Sequence, residues 1–223
     1  MSEKNLEAVP SPAPQGGVSV VLAGVGGQGI VLASKLLARA AMGRGLHVRT
    51  AETIGMAQRG GSVTSHVRVG DGASSPLVGA GRADALVALE PAEAARQLPF
   101  LRPGGVLVTS DAPVVPVSAM TGGPAYDLPA IMGYLRASVA PDRLVVVDAA
   151  AAGGALGTAR ALNVVLLGAA ASVGALGPMG CEDLLAAVRA TVPERFRELD
   201  ERALDLGSAA TARAAIHAAT AKE

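Results

Sequence analysis

The patterned part of the chain opens with Val18 to Ala23, a run of β-branched and apolar residues with the length of a buried parallel strand. Glycines follow at Gly24, Gly26, Gly27 and Gly29. Ile30 to Met42 is then strongly helix-forming, with Lys35 and Arg39 four apart on one face and the rest apolar. Gly43 and Gly45 end that helix, and Leu46 to Ala51 reads as a second strand. The segment is a β-loop-α-β unit with an expected right-handed crossover. Ser62 to Val69 alternates, with Val63, Val67 and Val69 on one face and Ser62, Thr64, His66 and Arg68 on the other. This period of two predicts a strand with a polar, solvent-facing side, antiparallel and near an edge.

Asp84 to Leu89, Gly105 to Thr109 and Arg143 to Val147 read as further buried strands, with a helix over Pro91 to Leu98 that carries Pro91 in its first turn. After Asp148 the pattern is helical, over Ala149 to Leu156, Ala161 to Leu176, Glu182 to Ala190 and Glu194 to Ala219, with a break expected at Gly207. No internal repeat is present. The fold class is therefore α/β, a mainly parallel Rossmann-like sheet with helices on both faces, an antiparallel edge element and C-terminal helices. Residues 1–17 mix Glu3, Lys4 and Glu7 with Pro10, Pro12 and Pro14, the composition of a disordered cytoplasmic tail rather than a signal peptide. The expected division is this tail, a domain over 18–207 and a helical extension over 208–223.

Composition narrows the function classes. Half of the residues are hydrophobic but only 2% are aromatic, so the core must be Ala, Val and Leu packed closely around glycines. The 19 basic and 19 acidic side chains cancel without a run of like charge, which speaks against nucleic acid as a partner. Cys181 is the single cysteine, so an internal disulfide and a self-contained cysteine-ligated iron–sulfur cluster are excluded. Ala161 to Cys181 is uncharged and long enough to cross a bilayer, but Asn163, Ser172, Pro178 and four glycines interrupt it. Ala, its commonest apolar residue, contributes little to insertion, so a buried helix explains it better than a membrane span.

Gly24-Val25-Gly26-Gly27-Gln28-Gly29 matches G-x-G-x-x-G between a predicted strand and a predicted helix. The first glycine permits a tight turn, the second lets a ligand reach the backbone, and the third lets helix and strand approach. The amides of the helix N-terminus then attract an anion. The competing reading is that the glycines only let strand, helix and a partner protein pack together. A dinucleotide site would use an acid after the second strand, and Glu52 stands near that place. It leads, however, into Gly55-Met56-Ala57-Gln58-Arg59-Gly60-Gly61, a second glycine loop instead of a helix.

Together, GVGGQG over Gly24 to Gly29 and GMAQRGG over Gly55 to Gly61 closely resemble the gamma-type domain of 2-oxoacid:ferredoxin oxidoreductases. The likeness continues through Ser62-Val63, Ser65-His66-Val67-Arg68, Ser75-Pro76-Leu77, Ala83-Asp84, Pro103-Gly104-Gly105, Arg160-Ala161-Leu162-Asn163 and Leu167-Gly168, and covers about Val18 to Gly207. Within that family a free-standing chain of this size is similar to the small, cluster-free subunit of the indolepyruvate branch. The resemblance implies a large partner subunit that carries thiamine diphosphate and the iron–sulfur clusters, and ferredoxin as electron acceptor. It also implies oxidative decarboxylation of an arylpyruvate with coenzyme A as acyl acceptor, and no cofactor held by this chain alone. Many relatives have a histidine before the second glycine loop; here Ile54 stands there, so any role of that histidine does not transfer.

The candidate cofactor-binding residues are Gly24, Gly26, Gly27, Gln28, Gly29, Gln58 and Arg59. Arg59 between glycines suits a bidentate grip on phosphate or carboxylate, or alternatively an interface ion pair. His66 and Arg68 belong to the face read as solvated. His47, His217, Asp111, Asp127 and Asp148 show no ligand or paired-carboxylate spacing. Cys181 beside Glu182 and Asp183 is a poor nucleophile, and Ser34 and Ser65 lack a nucleophile-elbow context. The alternative function is an independent NAD(P)-binding oxidoreductase using Glu52 at the ribose.

Overall fold

A computed structural model describes residues 17–54, 61–71, 75–116, 119, 122–123 and 125–220, with the side chains of 54 and 211–220 left aside. Apart from Gly17, the expected tail lies outside the described residues. The strands are β1 (Val18–Val25), β2 (Val48–Ile54), β3 (Ser62–Val69), β4 (Ala83–Ala88), β5 (Leu101–Ser110) and β6 (Leu144–Val147). The helices are α1 (Ile30–Gly43), α2 (Pro91–Gln97), α3 (Leu128–Ser138), α4 (Ala149–Leu156), α5 (Leu162–Ser172), α6 (Cys181–Thr191) and α7 (Glu194–Thr220).

All six strands form one sheet in the order β2-β3-β1-β4-β5-β6. The β1, β4, β5 and β6 pairings are parallel, while β3 runs antiparallel to both β1 and β2. This is the expected α/β class with its antiparallel element at one side of the sheet, β2 being the outermost strand. The β1-α1-β2 unit keeps its two strands in one direction, but β3 is inserted between them. Helices α1, α4, α5, α6 and α7 cover one face of the sheet, where Leu22, Val67, Leu36, Leu37, Val164, Leu167 and Leu184 form the main core. Helices α2 and α3 cover the other, around Val21, Leu86, Leu107, Met132 and Leu135.

The polar side of β3 is not solvated. Thr64 and His66 are buried, and only Ser62 and Arg68 retain exposure. The His66 ring stands edge-on to Phe100, and its Nδ1 accepts the Val78 N–H at 3.3 Å, which places the proton of the neutral ring on Nε2. Burial lowers its pKa, favouring the neutral imidazole. Arg68 donates to the Ser75 carbonyl at 2.9 Å. The period-two pattern located the strand correctly. It could not show that the segment around Val78 and Phe100 closes over the polar side.

Helix α3 has no counterpart in the sequence reading. Asp127 caps it by accepting the Ala130 N–H at 3.0 Å, and Met132 and Leu135 bury its inner stripe. Asp148 caps α4 through the Ala151 N–H at 2.8 Å, and Asp111 accepts the Ala149 N–H at 2.9 Å. The three aspartates thus hold helix N-termini.

The expected break at Gly207 is absent, and α7 runs through it. A Cβ at Gly207 would overlap the Val165 carbonyl oxygen, and one at Gly168 would overlap the Leu204 carbonyl oxygen. Both glycines serve backbone-to-backbone contact between α5 and α7, which a core with few aromatics permits. The charge-free stretch is this buried α5 and the turn after it. Among the described residues no helix is long and apolar enough to cross a membrane.

Two outcomes are expected. Gly207→Ala forces the helices apart and should cost about 2–4 kcal/mol, roughly 5–10 °C in Tm. Gly154→Ala, whose Cβ meets nothing within 4 Å inside α4, should gain about 0.5–1 kcal/mol. Thermal unfolding of the two variants measures the contrast. Second, Asp200 is buried on the stripe of α7 that carries Ala203, Leu204 and Gly207, and burial raises its pKa above the ordinary 3.8. The folded chain therefore holds this proton to higher pH than the unfolded chain, and stability falls as pH rises through that window. Asp200→Asn should unfold at higher temperature than the parent at pH 7, with the difference closing as pH falls below about 4.

Candidate functional site

The carboxyl ends of β1 and β4 lie side by side, and their onward connections leave in opposite directions. From β1 the chain passes through α1 toward β2, and from β4 it passes through α2, on the other face, toward β5. This is a topological switch point, where α/β sheets open a crevice for ligands.

The glycine loop occupies the β1 side and its internal bonds are specific. The Gly26 N–H donates to the Gly61 carbonyl at 2.8 Å, so the end of the second glycine loop is seated directly on the first. Gln28 folds back so that its Oε1 accepts the Val25 N–H at 2.7 Å, while its Nε2 reaches weakly to the Leu89 carbonyl at 3.5 Å, linking the ends of β1 and β4. A Cβ on Gly24 would lie 2.8 Å from the Gln28 Oε1. Gly29 takes a left-handed φ of 86°, and a Cβ there would stand 2.6 Å from the Asn163 Nδ2, which donates to the Gly29 carbonyl at 3.1 Å. The third glycine therefore serves close contact with α5. Gly27, exposed with φ of 102°, is the apex. Among the described residues no acceptor meets the amides of Ile30, Val31 and Leu32 in the first turn of α1, which leaves the positive end of the helix dipole open.

The sequence-predicted residues Gly24, Gly26, Gly27, Gln28 and Gly29 thus come together, with Gln28 engaged inside the loop. Gln58 and Arg59 lie outside the described residues, although Gly61 places the end of their loop against Gly26. Glu52 does not join them. The insertion of β3 holds β2 two strand spacings from β1, about 9–10 Å. The Glu52 Oε1 instead lies 3.1 Å from the hydroxyl of buried Ser34 on α1. The geometry does not assemble the ribose-binding acid of a dinucleotide site. Ser65 and Cys181 are likewise away from the loop, Ser65 buried beside Leu22 and Glu52 in the sheet and the Cys181 thiol 3.9 Å from the Gly168 carbonyl.

The β4 side carries residues that the sequence reading did not single out. Glu90 and Glu93 are both buried. Glu93 is paired with Arg96 and accepts the Ser62 hydroxyl at 2.6 Å, while Glu90 accepts the Tyr126 hydroxyl and the Glu93 N–H. Burial, and then the hydrogen bond and charge of Glu90, push the Tyr126 phenol well above its ordinary pKa. The signal was present in Leu89-Glu90-Pro91: an acid before a proline at the first helical position is an N-cap. Electrostatically the site is divided, with a helix N-terminus on the β1 side and buried carboxylates on the β4 side.

Comparison with known proteins agrees with this architecture. The chain is 41% identical over 191 residues to the indolepyruvate oxidoreductase subunit IorB of Archaeoglobus fulgidus, which spans 85% of this chain and 93% of that protein. It is 34% identical over 189 residues to the subunit of the same name from Pyrococcus horikoshii, with the same coverage of 85% and 93%. In fold it is similar to the keto/oxoacid ferredoxin oxidoreductase gamma subunit of Geobacter sulfurreducens, at a TM-score of 0.60 and 25% identity over 86% of this chain and 97% of that one. The profile of the pyruvate ferredoxin/flavodoxin oxidoreductase family matches residues 19–211, so this chain belongs to that family.

Proposed function

We propose that this chain is the small, cluster-free subunit of an indolepyruvate-type 2-oxoacid:ferredoxin oxidoreductase. The observation that carries the reading is the 41% identity to an indolepyruvate oxidoreductase subunit over 93% of that subunit's length. A single cysteine cannot supply the four thiolates of an iron–sulfur cluster, so the clusters belong to a partner subunit, which in this proposal also carries the thiamine diphosphate. The reaction is oxidative decarboxylation of an arylpyruvate to its acyl-coenzyme A, with the electrons passed through the partner to ferredoxin. The chain works in the cytoplasm.

Within that complex the carboxyl edge of the sheet faces the shared active site, and the loop Gly24 to Gly29 with Gln58 and Arg59 receives the phosphates of coenzyme A. Open amides at the start of α1 support an anion there, on the side of the crevice away from Glu90 and Glu93. The independent NAD(P) reading loses its support with the displacement of Glu52.

Reconstitution tests both statements. The chain alone, given thiamine diphosphate and an arylpyruvate, should reduce no electron acceptor, and activity should appear on addition of the large subunit. Oxoacid oxidation by the chain alone would end the subunit assignment. In the assembled enzyme Arg59→Ala should raise the apparent KM for coenzyme A by the loss of about 1.5–3 kcal/mol, a hydrogen bond to a charged group, with association preserved. Dissociation of the subunits with unchanged coenzyme A dependence would make the loop an interface element instead.

A further inference from the structure

At the carboxyl end of β4 one buried carboxylate holds three donors from two parts of the chain. Glu90 is 1% exposed. Its Oε2 accepts the Glu93 N–H at 2.8 Å and caps α2. Its Oε1 accepts the Val114 N–H at 3.4 Å and the Tyr126 hydroxyl, both from the connection between β5 and α3. That connection leaves the sheet beside it, where the Ser110 hydroxyl donates to the Leu89 carbonyl at 2.8 Å and the Ala112 N–H returns to the Ser110 Oγ at 3.3 Å. Gln28 of the glycine loop reaches the same Leu89 carbonyl.

Among the ion pairs of the described residues Glu90 takes part in none, and neighbouring Arg96 is committed to Glu93. A buried carboxylate without a cation is costly, and a helix cap alone is served as well by Asn or Ser. What the site demands is a group that only accepts. An amide in its place would turn its NH2 against either the Glu93 or the Val114 N–H. We infer that Glu90 is a positioning residue, clamping Val114 and Tyr126, which flank β5 and α3, to the start of α2 on the β4 side of the switch-point crevice. Exposed Val114 is then fixed at the carboxyl end of β4, with Val115 next to it in the chain. The effect on catalysis rests on the proposed function, in which this edge faces the active site; the clamp itself does not.

The chain has two tyrosines and no tryptophan, so tyrosinate absorbance in a Tyr134→Phe background reads Tyr126 alone. In that background Glu90→Gln should bring Tyr126 ionisation to lower pH and speed amide hydrogen exchange at Val114. In the assembled enzyme Tyr126→Phe keeps the Glu90 charge and removes the tie. It should raise the apparent KM for coenzyme A about three- to tenfold, the range expected for one lost hydrogen bond, with kcat within about twofold. Unchanged Tyr126 titration and Val114 exchange in Glu90→Gln would overturn the clamp. A KM that moves in Glu90→Gln but not in Tyr126→Phe would also overturn it, since the carboxylate would then act by charge and not by position. A wild-type small subunit that fails to activate its partner would sink the proposed function, while the Tyr126 and Val114 measurements on the chain alone still decide the clamp.

Discussion

The antiparallel insertion of β3 between β1 and β2 is the constraint from which the rest of the site follows. An ordinary dinucleotide fold pairs the first two strands directly, so the acid after the second strand lands beside the glycine turn. Here the ladder from Val18 opposite Val69 to Val25 opposite Ser62 occupies that flank of β1. It carries Gly61 onto Gly26 and leaves Glu52 on the outermost strand, against Ser34. A G-x-G-x-x-G turn is thereby put to a different use, as the meeting point of two glycine loops. The polar side of β3 is buried from above, by the segment around Val78 and Phe100, and not by its neighbours in the sheet.

Packing supports that arrangement with small side chains. With few aromatics to fill space, helices approach the sheet and one another closely, and Gly168 and Gly207 bring α5 and α7 into backbone contact. Asn163 stands at the start of α5, so the α5 and α7 pair also sets how that side chain meets Gly29. A change in helix spacing would be transmitted to the glycine loop through one hydrogen bond.

The switch point joins two opposite electrostatic characters. The first turn of α1 presents amides with no acceptor among the described residues, whereas the β4 side buries two carboxylates, one neutralised by Arg96 and one held by neutral donors. Low dielectric strengthens both. Gln28, bridging Val25 and Leu89, marks the boundary between them.

Much of this was legible in the chain itself. Strand and helix positions follow from periodicity, a property of neighbours within a few residues, and the paired glycine motifs with their flanking sequence carried the family. Asp127, Asp148 and Glu90 are caps for equally local reasons: each precedes a helix whose first amides lack partners. Tertiary structure alone decided the sheet order, the fate of Glu52, the burial of His66 beside Phe100, the continuity of α7 through Gly207 and the meeting of Glu90 with Val114 and Tyr126. Each of these depends on contacts between segments far apart in sequence. Periodicity tells which side of a strand or helix is apolar, but the partner that covers each side is chosen only when the whole chain packs.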